Sequence, residues 1–266
     1  MNSPCPLVLT ERTAHGQVTL TLNRPDAFNA LSEGLMHALQ QALDDLQQDE
    51  TVRVVVIAAA GRAFCAGHDL REMRAAPSHD YYQRLFRQCG ALMMSLQRLP
   101  VPVIARVHGI ATAAGCQLVA MCDLAVAAST ARFAVSGVNL GLFCSTPGVA
   151  LARNLGRKAA FEMLVTGEFI DAAQALAKGL INRVAAPEQL DAEVQRLADS
   201  ILAKPRVALA LGKSLFYRQV ESGIESAYLD AAQTMACNMM DESALEGVQA
   251  FIDKREPTWR SNQASG

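Results

Sequence analysis

The sequence has few of the features that mark a nucleic-acid-binding, secreted or metal-dependent protein. Its 24 basic and 26 acidic residues give a formal net charge of −2, and it has no basic stripe that would hold a nucleic acid. The seven cysteines are an odd number and none forms a CxxC pair. Neither a disulfide framework nor a zinc site is therefore predicted. Reduced thiols indicate a cytoplasmic protein.

Signals for export, membrane insertion and several common enzyme classes are also missing. Residues 1–10 have neither the basic start nor the long apolar region of a signal peptide. The apolar run 110–128 contains Gln117 and Asp123, and one Asp costs about 2.5–3.5 kcal/mol at the centre of a membrane helix. We therefore predict a buried helix followed by a buried strand, and no membrane association.

Sequence motifs of other enzymes are absent as well. The chain has no GxGxxG, Walker, HExxH or GxSxG motif. This disfavours a dinucleotide-dependent enzyme, a P-loop enzyme, a zinc protease and a serine hydrolase of the usual kind.

The hydrophobic pattern predicts an α/β protein with its strands early and its helices late. About half of the 266 residues are hydrophobic, enough for a sizeable core. Strands are predicted at 7–10, 17–22, 52–60, 102–107, 123–128 and 181–184, and helices at 32–48, 81–99, 149–166, 171–178, 188–202, 206–220 and 223–254 with a break near 241–243. We expect a core of residues 1–185 and a helical C-terminal region of residues 186–266, which together form one continuous unit.

Residues 107–123 are the most informative stretch. A buried strand ends there, a turn of small residues follows, and an apolar helix begins. Small residues let a ligand approach the backbone. The N–H groups at a helix start have no partner within the helix and can bind negative charge. An active site is therefore predicted here.

Five motifs together resemble the crotonase, or enoyl-CoA hydratase/isomerase, superfamily in order and spacing along essentially the whole chain. They are NRPDAFNAL (23–31), AFCAGHDL (63–70), VHGIATAAGCQLVAMCD (107–123), GLINRV (179–184) and FIDKREPTW (251–259). The resemblance implies a spiral of ββα units with a helical C-terminal region, assembled as a homotrimer or a dimer of trimers. It also implies an acyl-CoA thioester as ligand. Coenzyme A would be part of the substrate, so no separate cofactor is expected.

The resemblance also implies the site residues. The backbone N–H groups of His68 and Ala114 would form an oxyanion hole for the thioester oxygen. The implied substrate-binding residues are Arg24, Ala27, Ala66, Gly67, Asp69, Leu70, Gly115, Asn139, Cys144, Ser145, Phe251 and Lys254. Lys254, together with Arg255, matches a basic pair that would meet the phosphates of coenzyme A.

Several of these residues also have a simpler structural explanation. The loop at Gly67 is by itself compatible with an ordinary strand-to-helix turn. The His68 ring could point at the ligand and exchange protons, or only its backbone could matter. Cys144 and Ser145 are expected to line the site but not to act as nucleophiles, because no activating base is evident. A charged terminal helix such as the one with Lys254 is by itself usually a solvated face.

Two positions depart from the pattern of the superfamily's hydratases, which would use two glutamates around one water. Those positions are Gln117 and Gly137 here. Glutamine has no titratable carboxylate and cannot act as a general base near neutral pH, and glycine has no side chain. Each positioned acid–base group contributes about 10²–10⁴-fold to a rate, so hydration of an enoyl-CoA should be slow.

Three functions remain open from the sequence. The first is an enzyme of the hydratase/isomerase type, in the lyase or isomerase class, whose reaction on acyl-CoA is not efficient hydration. The second is an acyl-CoA-binding protein without turnover. The third is a decarboxylase or thioesterase of the same fold that uses His68, Asn139, Cys144 or Ser145. The short loop 138–141 is similar to one in methylmalonyl-CoA decarboxylase.

Overall fold

The computed structural model describes residues 5–75 and 77–259 and contains two β-sheets among helices. The strands are β1 (Val8–Arg12), β2 (Gln17–Leu22), β3 (Val54–Ala59), β4 (Ala63–Cys65), β5 (Val103–Val107), β6 (Ile110–Thr112), β7 (Leu124–Ala128), β8 (Arg132–Ala134), β9 (Ile170–Asp171) and β10 (Arg183–Ala185). The helices are α1 (Glu33–Gln47), α2 (Leu70–Ala75), α3 (His79–Arg98), α4 (Ala114–Met121), α5 (Ser145–Asn154), α6 (Arg157–Thr166), α7 (Ala172–Lys178), α8 (Leu190–Leu202), α9 (Arg206–Gln219), α10 (Ile224–Met239) and α11 (Glu242–Ile252). No helix among these described residues is both long enough and apolar enough to cross a bilayer.

The larger sheet has the strand order β1-β2-β3-β5-β7-β10. Strands β1 and β2, both predicted from the sequence, form an antiparallel hairpin, and all later pairs of this sheet are parallel. Every residue of β3 is buried, as suits a parallel strand covered on both faces. Helix α8 covers one face of this sheet with Leu190, Val194 and Leu197. The larger core lies on the other face.

The smaller sheet has the order β4-β6-β8-β9, and β4, β6 and β8 run parallel to one another. Each of these three strands follows a strand of the larger sheet and precedes a helix. The repeating unit is therefore strand, strand, helix. Because neighbouring parallel strands end at the same edge, the turns after β4, β6 and β8 lie side by side.

Helix boundaries follow local chemistry closely. The Ser32 hydroxyl accepts a hydrogen bond from the Leu35 N–H at 3.1 Å and caps α1, as its sequence predicts. Gly179 ends α7 in the left-handed conformation. The helix expected at 149–166 is instead two helices, because Leu155 is extended and Gly156 starts α6.

Two further differences concern the short strands of the smaller sheet. Residues 110–112 form β6, where the sequence predicts only a turn. Residues 133–148, whose glycines predict an irregular segment, contain the end of β8, a 3-10 helix at Ser136–Leu140 and the start of α5. Strands of three residues are too short to show a period in the sequence.

The helix α9 is anchored to the core by Asp123, which directly precedes β7. Its carboxylate accepts hydrogen bonds from Lys213 Nζ at 2.6 Å, the Tyr217 hydroxyl at 2.6 Å and the Val103 N–H at 2.6 Å. Lys213 also donates to the carbonyls of Leu96 and Val101. Burial lowers the pKa of Lys213, and the Asp123 carboxylate opposes that change.

Replacing Lys213 by methionine should lower the free energy of unfolding by about 3–5 kcal/mol, because it leaves the Asp123 carboxylate buried without its cation. The Lys213 side chain is only 7 % exposed. Lys158 is exposed on α6, so Lys158→Met is the matched control and should change stability little. Denaturant unfolding of both variants measures the difference. Equal stability of the two variants would contradict the anchoring role.

Candidate functional site

Three turns converge at the end of the smaller sheet. They follow β4 at residues 66–69, β6 at residues 113–114 and β8 at residues 135–137. The Ala113 N–H donates to the Ala134 carbonyl at 2.9 Å, and the hydroxyls of Thr112 and Ser136 lie 3.0 Å apart. The residues predicted to carry chemistry at 68, 114 and 137 are therefore brought to one edge.

The backbone N–H group of His68 is free among the described residues, because the bridge to Leu31 uses only the backbone groups of the flanking residues. Leu31 pairs with this segment as an isolated parallel bridge. The Leu31 N–H donates to the Gly67 carbonyl at 2.7 Å, and the Asp69 N–H donates to the Leu31 carbonyl at 3.2 Å. In such a bridge the residue between the two bonded neighbours points its own N–H the other way. Among the described residues, this N–H has no acceptor.

A second free N–H group lies at Ala114, the first residue of α4. Its N-cap, Ala113, has φ +51° and ψ −120° and gives the helix no side-chain cap. This backbone conformation is costly for a residue other than glycine and is concentrated at functional sites. Within α4 the first N–H groups have no partner, and they lie at the positive end of the helix.

Two glycines allow these donors to approach each other. A Cβ atom on Gly67, which has φ +92°, would fall 2.9 Å from the Ala113 Cβ and 3.4 Å from the Ala114 nitrogen. A Cβ atom on Gly115 would fall 2.1 Å from the Cys65 carbonyl oxygen. Only glycine at both positions lets the first turn of α4 lie directly against the end of β4.

Two polar side chains near the donors have buried atoms without hydrogen-bond partners. They are both ring nitrogens of His68 and the side-chain oxygen of Gln117. Gln117 is only 4 % exposed. An unpaired buried polar group costs about 1–3 kcal/mol, so these atoms are expected to serve a polar ligand rather than stability.

The His68 imidazole is held in an apolar setting. Its ring meets the Phe86 ring edge-on, with centroids 5.5 Å apart. Burial lowers the pKa of His68, and the nearby Leu31 carbonyl acts in the opposite direction. The ring is therefore uncharged at neutral pH, with one nitrogen as donor and the other as acceptor.

Position 137, where a hydratase of this pattern would have its second glutamate, is covered. A Cβ atom on Gly137 would fall 2.5 Å from the Leu142 carbonyl oxygen and 2.7 Å from Cys144 Sγ. The Leu142 N–H donates to the Gly137 carbonyl at 3.0 Å, so the loop folds back on this residue. Burial raises the pKa of the Cys144 thiol, and the Gly137 N–H acts in the opposite direction.

The segments around Arg24 and Asp69 are joined by an ion pair and hydrogen bonds next to His68. Arg24 Nη2 lies 2.9 Å from Asp69 Oδ2, and Arg24 Nη1 donates to the Ala30 carbonyl. Burial acts to raise the pKa of Asp69, but hydrogen bonds from Arg24 and from backbone N–H groups outweigh it and lower that pKa. The turn with Ala27 joins in through the Ala66 N–H, which donates to the Phe28 carbonyl at 3.0 Å. Leu70, the next residue of the predicted set, is 53 % exposed at the start of α2.

Asn29 is a residue that the sequence analysis missed. It is fully buried with φ +53°. Its Nδ2 donates to the carbonyls of Ala60 and Ala63 at 2.8 and 2.9 Å, and its Oδ1 accepts from the Arg24 N–H at 2.8 Å. Asparagine adopts positive φ more readily than other non-glycine residues, so its place in a proline turn was the available signal.

Other predicted residues have partners elsewhere or lie apart. The Asn139 amide donates to the Gly167 carbonyl at 3.4 Å, and the Ser145 hydroxyl donates to the Phe143 carbonyl at 3.4 Å. Phe251 is 85 % exposed and Lys254 follows α11. No hydrogen bond among the described residues joins these two to the turns at 66–69 and 113–114. Arg255 forms a two-point ion pair with Glu246.

Comparison with known proteins identifies the family to which this chain belongs. A family model described as enoyl-CoA hydratase/isomerase matches residues 12–262. The protein belongs to this family, and the predicted α/β fold, a crotonase-like spiral with a helical C-terminal region, is confirmed by solved structures of the same family.

Two solved structures and one curated relative are similar to this chain over most of its length. A crystal structure of an enoyl-CoA hydratase from Mycobacterium smegmatis is 68 % identical and has a TM-score of 0.95, with 96 % of this chain and 99 % of that chain covered. The crystal structure of human enoyl-CoA hydratase domain-containing protein 3 is 42 % identical, with a TM-score of 0.91 and coverage of 95 % and 100 %. The mouse protein of that name is 44 % identical over 96 % of this chain and 85 % of its own length.

The prediction of a cytoplasmic location is wrong by this comparison. The curated relatives from mouse, rat, Xenopus laevis and human are named as mitochondrial proteins. Reduced cysteines and the lack of a secretory signal led to the error. Neither feature separates the cytoplasm from mitochondria, whose import uses a different, Arg-rich amphipathic segment.

Replacing Gly115 by alanine should destabilise the protein by about 1–3 kcal/mol, because the new methyl group overlaps the backbone of Cys65. Gly90 is the matched control. It lies within α3 and a Cβ atom there would meet nothing within 4 Å, so Gly90→Ala should stabilise by about 1 kcal/mol through helix propensity. Chemical unfolding gives both values. Changes of the same sign would contradict the close approach of α4 and β4.

Proposed function

We propose that this protein binds an acyl-CoA thioester and polarises its carbonyl group through the backbone N–H groups of His68 and Ala114. The observation that carries the proposal is the pair of unpartnered N–H groups that Gly67 allows to lie close together. Two such donors fit one oxygen that gains negative charge in the reaction. Removing one donor of this kind typically costs about 10²–10³ in kcat.

The ligand's coenzyme A portion would extend from the hole past the paired segments of Arg24 and Asp69. Ala27, Ala66 and Leu70 lie in these segments and would line its path. Coenzyme A is part of the substrate in this proposal, and no separate cofactor takes part. Phe251 and Lys254 would reach the phosphate end.

We also propose assembly as a homotrimer or a dimer of trimers. Helices α9 and α10 have no buried residue in the single chain. Apolar side chains such as Phe216, Tyr228 and Leu229 are exposed there, and contacts between copies would cover them.

The reaction proposed is of the hydratase/isomerase type but is not efficient hydration. Hydration needs a base that takes a proton from water. The Gln117 amide cannot do so, and Gly137 has no side chain. What remains is a hole for an enolate and a neutral imidazole at His68, which can donate or accept one proton.

Decarboxylation of a malonyl-type thioester is a second candidate, and the lack of a carboxylate at Gln117 and Gly137 favours it, because the carbon–carbon cleavage requires no base. The bond from the α-carbon to the carboxylate breaks, carbon dioxide leaves, and the electron pair passes to the thioester as an enolate. The neutral His68 ring would then relay a proton, donating from one ring nitrogen to the α-carbon while the other nitrogen accepts a proton from water. The hydroxide left from that water combines with the released carbon dioxide as bicarbonate. A thioesterase is less well supported, because burial keeps the Cys144 thiol protonated.

A panel of thioesters tests the reaction. Purified protein is incubated with crotonyl-CoA, a 3-enoyl-CoA and methylmalonyl-CoA, products are followed by mass spectrometry, and affinity is measured by calorimetry. We expect thioester binding, crotonyl-CoA hydration at least about 10²-fold below that of a two-glutamate hydratase, and turnover of one of the other substrates. Rapid hydration would contradict the proposal, and binding without any product would support a binding protein instead.

His68→Ala is the control that separates backbone from ring in this panel. It keeps the N–H group and removes the imidazole. Reduced turnover at unchanged affinity would assign the proton transfer to the ring.

Replacing Ala114 by proline removes one proposed donor. Proline is tolerated at the first position of a helix because the N–H lost there has no partner in the helix. We expect turnover of the substrate found in the panel to fall by about 10²–10³-fold, whereas Ala114→Gly keeps the N–H and should retain most of it. Circular dichroism checks that both variants are folded. A folded proline variant with full activity would exclude this N–H from the reaction.

A further inference from the structure

The loop at 137–144 closes over the place where a second acid–base side chain would begin. Both obstacles near Gly137 come from this loop, namely the Leu142 carbonyl oxygen at 2.5 Å and Cys144 Sγ at 2.7 Å from a Cβ atom at that position. One is backbone and the other is a side chain that is only 7 % exposed. The space for a catalytic side chain is thus filled rather than empty.

The thiol that fills this space belongs to the same buried core cluster as Cys116 of α4. Burial raises the pKa of Cys116, next to Gln117, to about 12. The pKa of Cys144 is also raised. Both groups are therefore uncharged at neutral pH. A protonated thiol is a weak hydrogen-bond donor and acceptor and cannot take a proton from water.

We propose that Cys144 is a specificity-determining residue, whose thiol occupies the position of the missing second carboxylate and restricts the site to thioester reactions that need no activated water. This inference rests on the proposed thioester-binding function. It predicts that a carboxylate at residue 144 restores hydration and that a carboxylate at residue 137 does not.

The distance of 2.7 Å between Sγ and a Cβ atom at 137 carries this prediction. Because Sγ sits where a side chain at 137 would pass, an acid at 144 would place its carboxylate in the same space. A glutamate at 137 would instead meet the Leu142 carbonyl, which is backbone and cannot move aside alone. Side chains at 137 and 144 would therefore occupy the same space. Only a side chain at 144 can enter it without overlapping the backbone of Leu142.

The test introduces one carboxylate at 117 and a second one at either 144 or 137. The rates of crotonyl-CoA hydration by the variants are then compared. The variants are Gln117→Glu alone, Gln117→Glu with Cys144→Asp, and Gln117→Glu with Gly137→Glu. We expect the variant with Cys144→Asp to exceed Gln117→Glu by about 10²-fold or more, and the variant with Gly137→Glu to show no gain. No gain with Cys144→Asp in a folded protein, or a larger gain with Gly137→Glu, would overturn the inference.

A second variant at 144 and a binding measurement allow the inference to be tested even if the Asp variant does not fold. If the Asp variant does not fold by circular dichroism, Gln117→Glu with Cys144→Ser replaces it, since a hydroxyl holds a water better than a thiol does. A rise above Gln117→Glu supports the inference and its absence overturns it. Calorimetry of the unmodified protein with acetyl-CoA is run in parallel. Lack of binding there refutes the thioester function itself, whereas binding without a gain in hydration refutes only the role of Cys144.

Discussion

The parallel pairing of β4, β6 and β8 is the constraint on which the site depends. It makes three chain segments far apart in sequence end at one edge, so the turns at 66–69, 113–114 and 135–137 need no other device to meet. The glycines refine this arrangement. Gly115 brings the first turn of α4 onto the carbonyl of Cys65, and Gly67 keeps the space beside the Ala114 nitrogen open. The positive φ of Ala113 is a strain that this network holds in place.

The site is electrically neutral at its centre, and this shapes what it can do. Asp69, the acidic residue beside the hole, is paired with Arg24. The remaining groups are an uncharged imidazole, an amide and two protonated thiols. In such a low-dielectric setting, fixed N–H dipoles act on a developing oxyanion more strongly than they would in water. The same setting offers no base for water. Polarisation of a thioester is thus favoured, and activation of water is not.

The sequence predicts the large helices and strands well, because long periodic segments and glycine-rich turns leave clear local signals. The hairpin, β3, α1, α3 and the helix start at Ala114 are all confirmed. The strands of the smaller sheet were not predicted, because strands of two or three residues are too short to show a period in the sequence. The role of Asn29 depends on carbonyls more than 30 positions away. The covering of Gly137 by Cys144 depends on how one loop folds back, which no residue spacing reveals.

The two departures from the hydratase pattern differ in kind. Glutamine at 117 keeps nearly the shape of glutamate, so the change removes a charge and leaves the geometry intact. At position 137 the change is steric, because the loop has closed and a thiol has taken the space. Residues in contact do not contribute additively, so 137 and 144 have to be considered as one unit. Neither 117 nor 137 therefore holds a carboxylate that could take a proton from water.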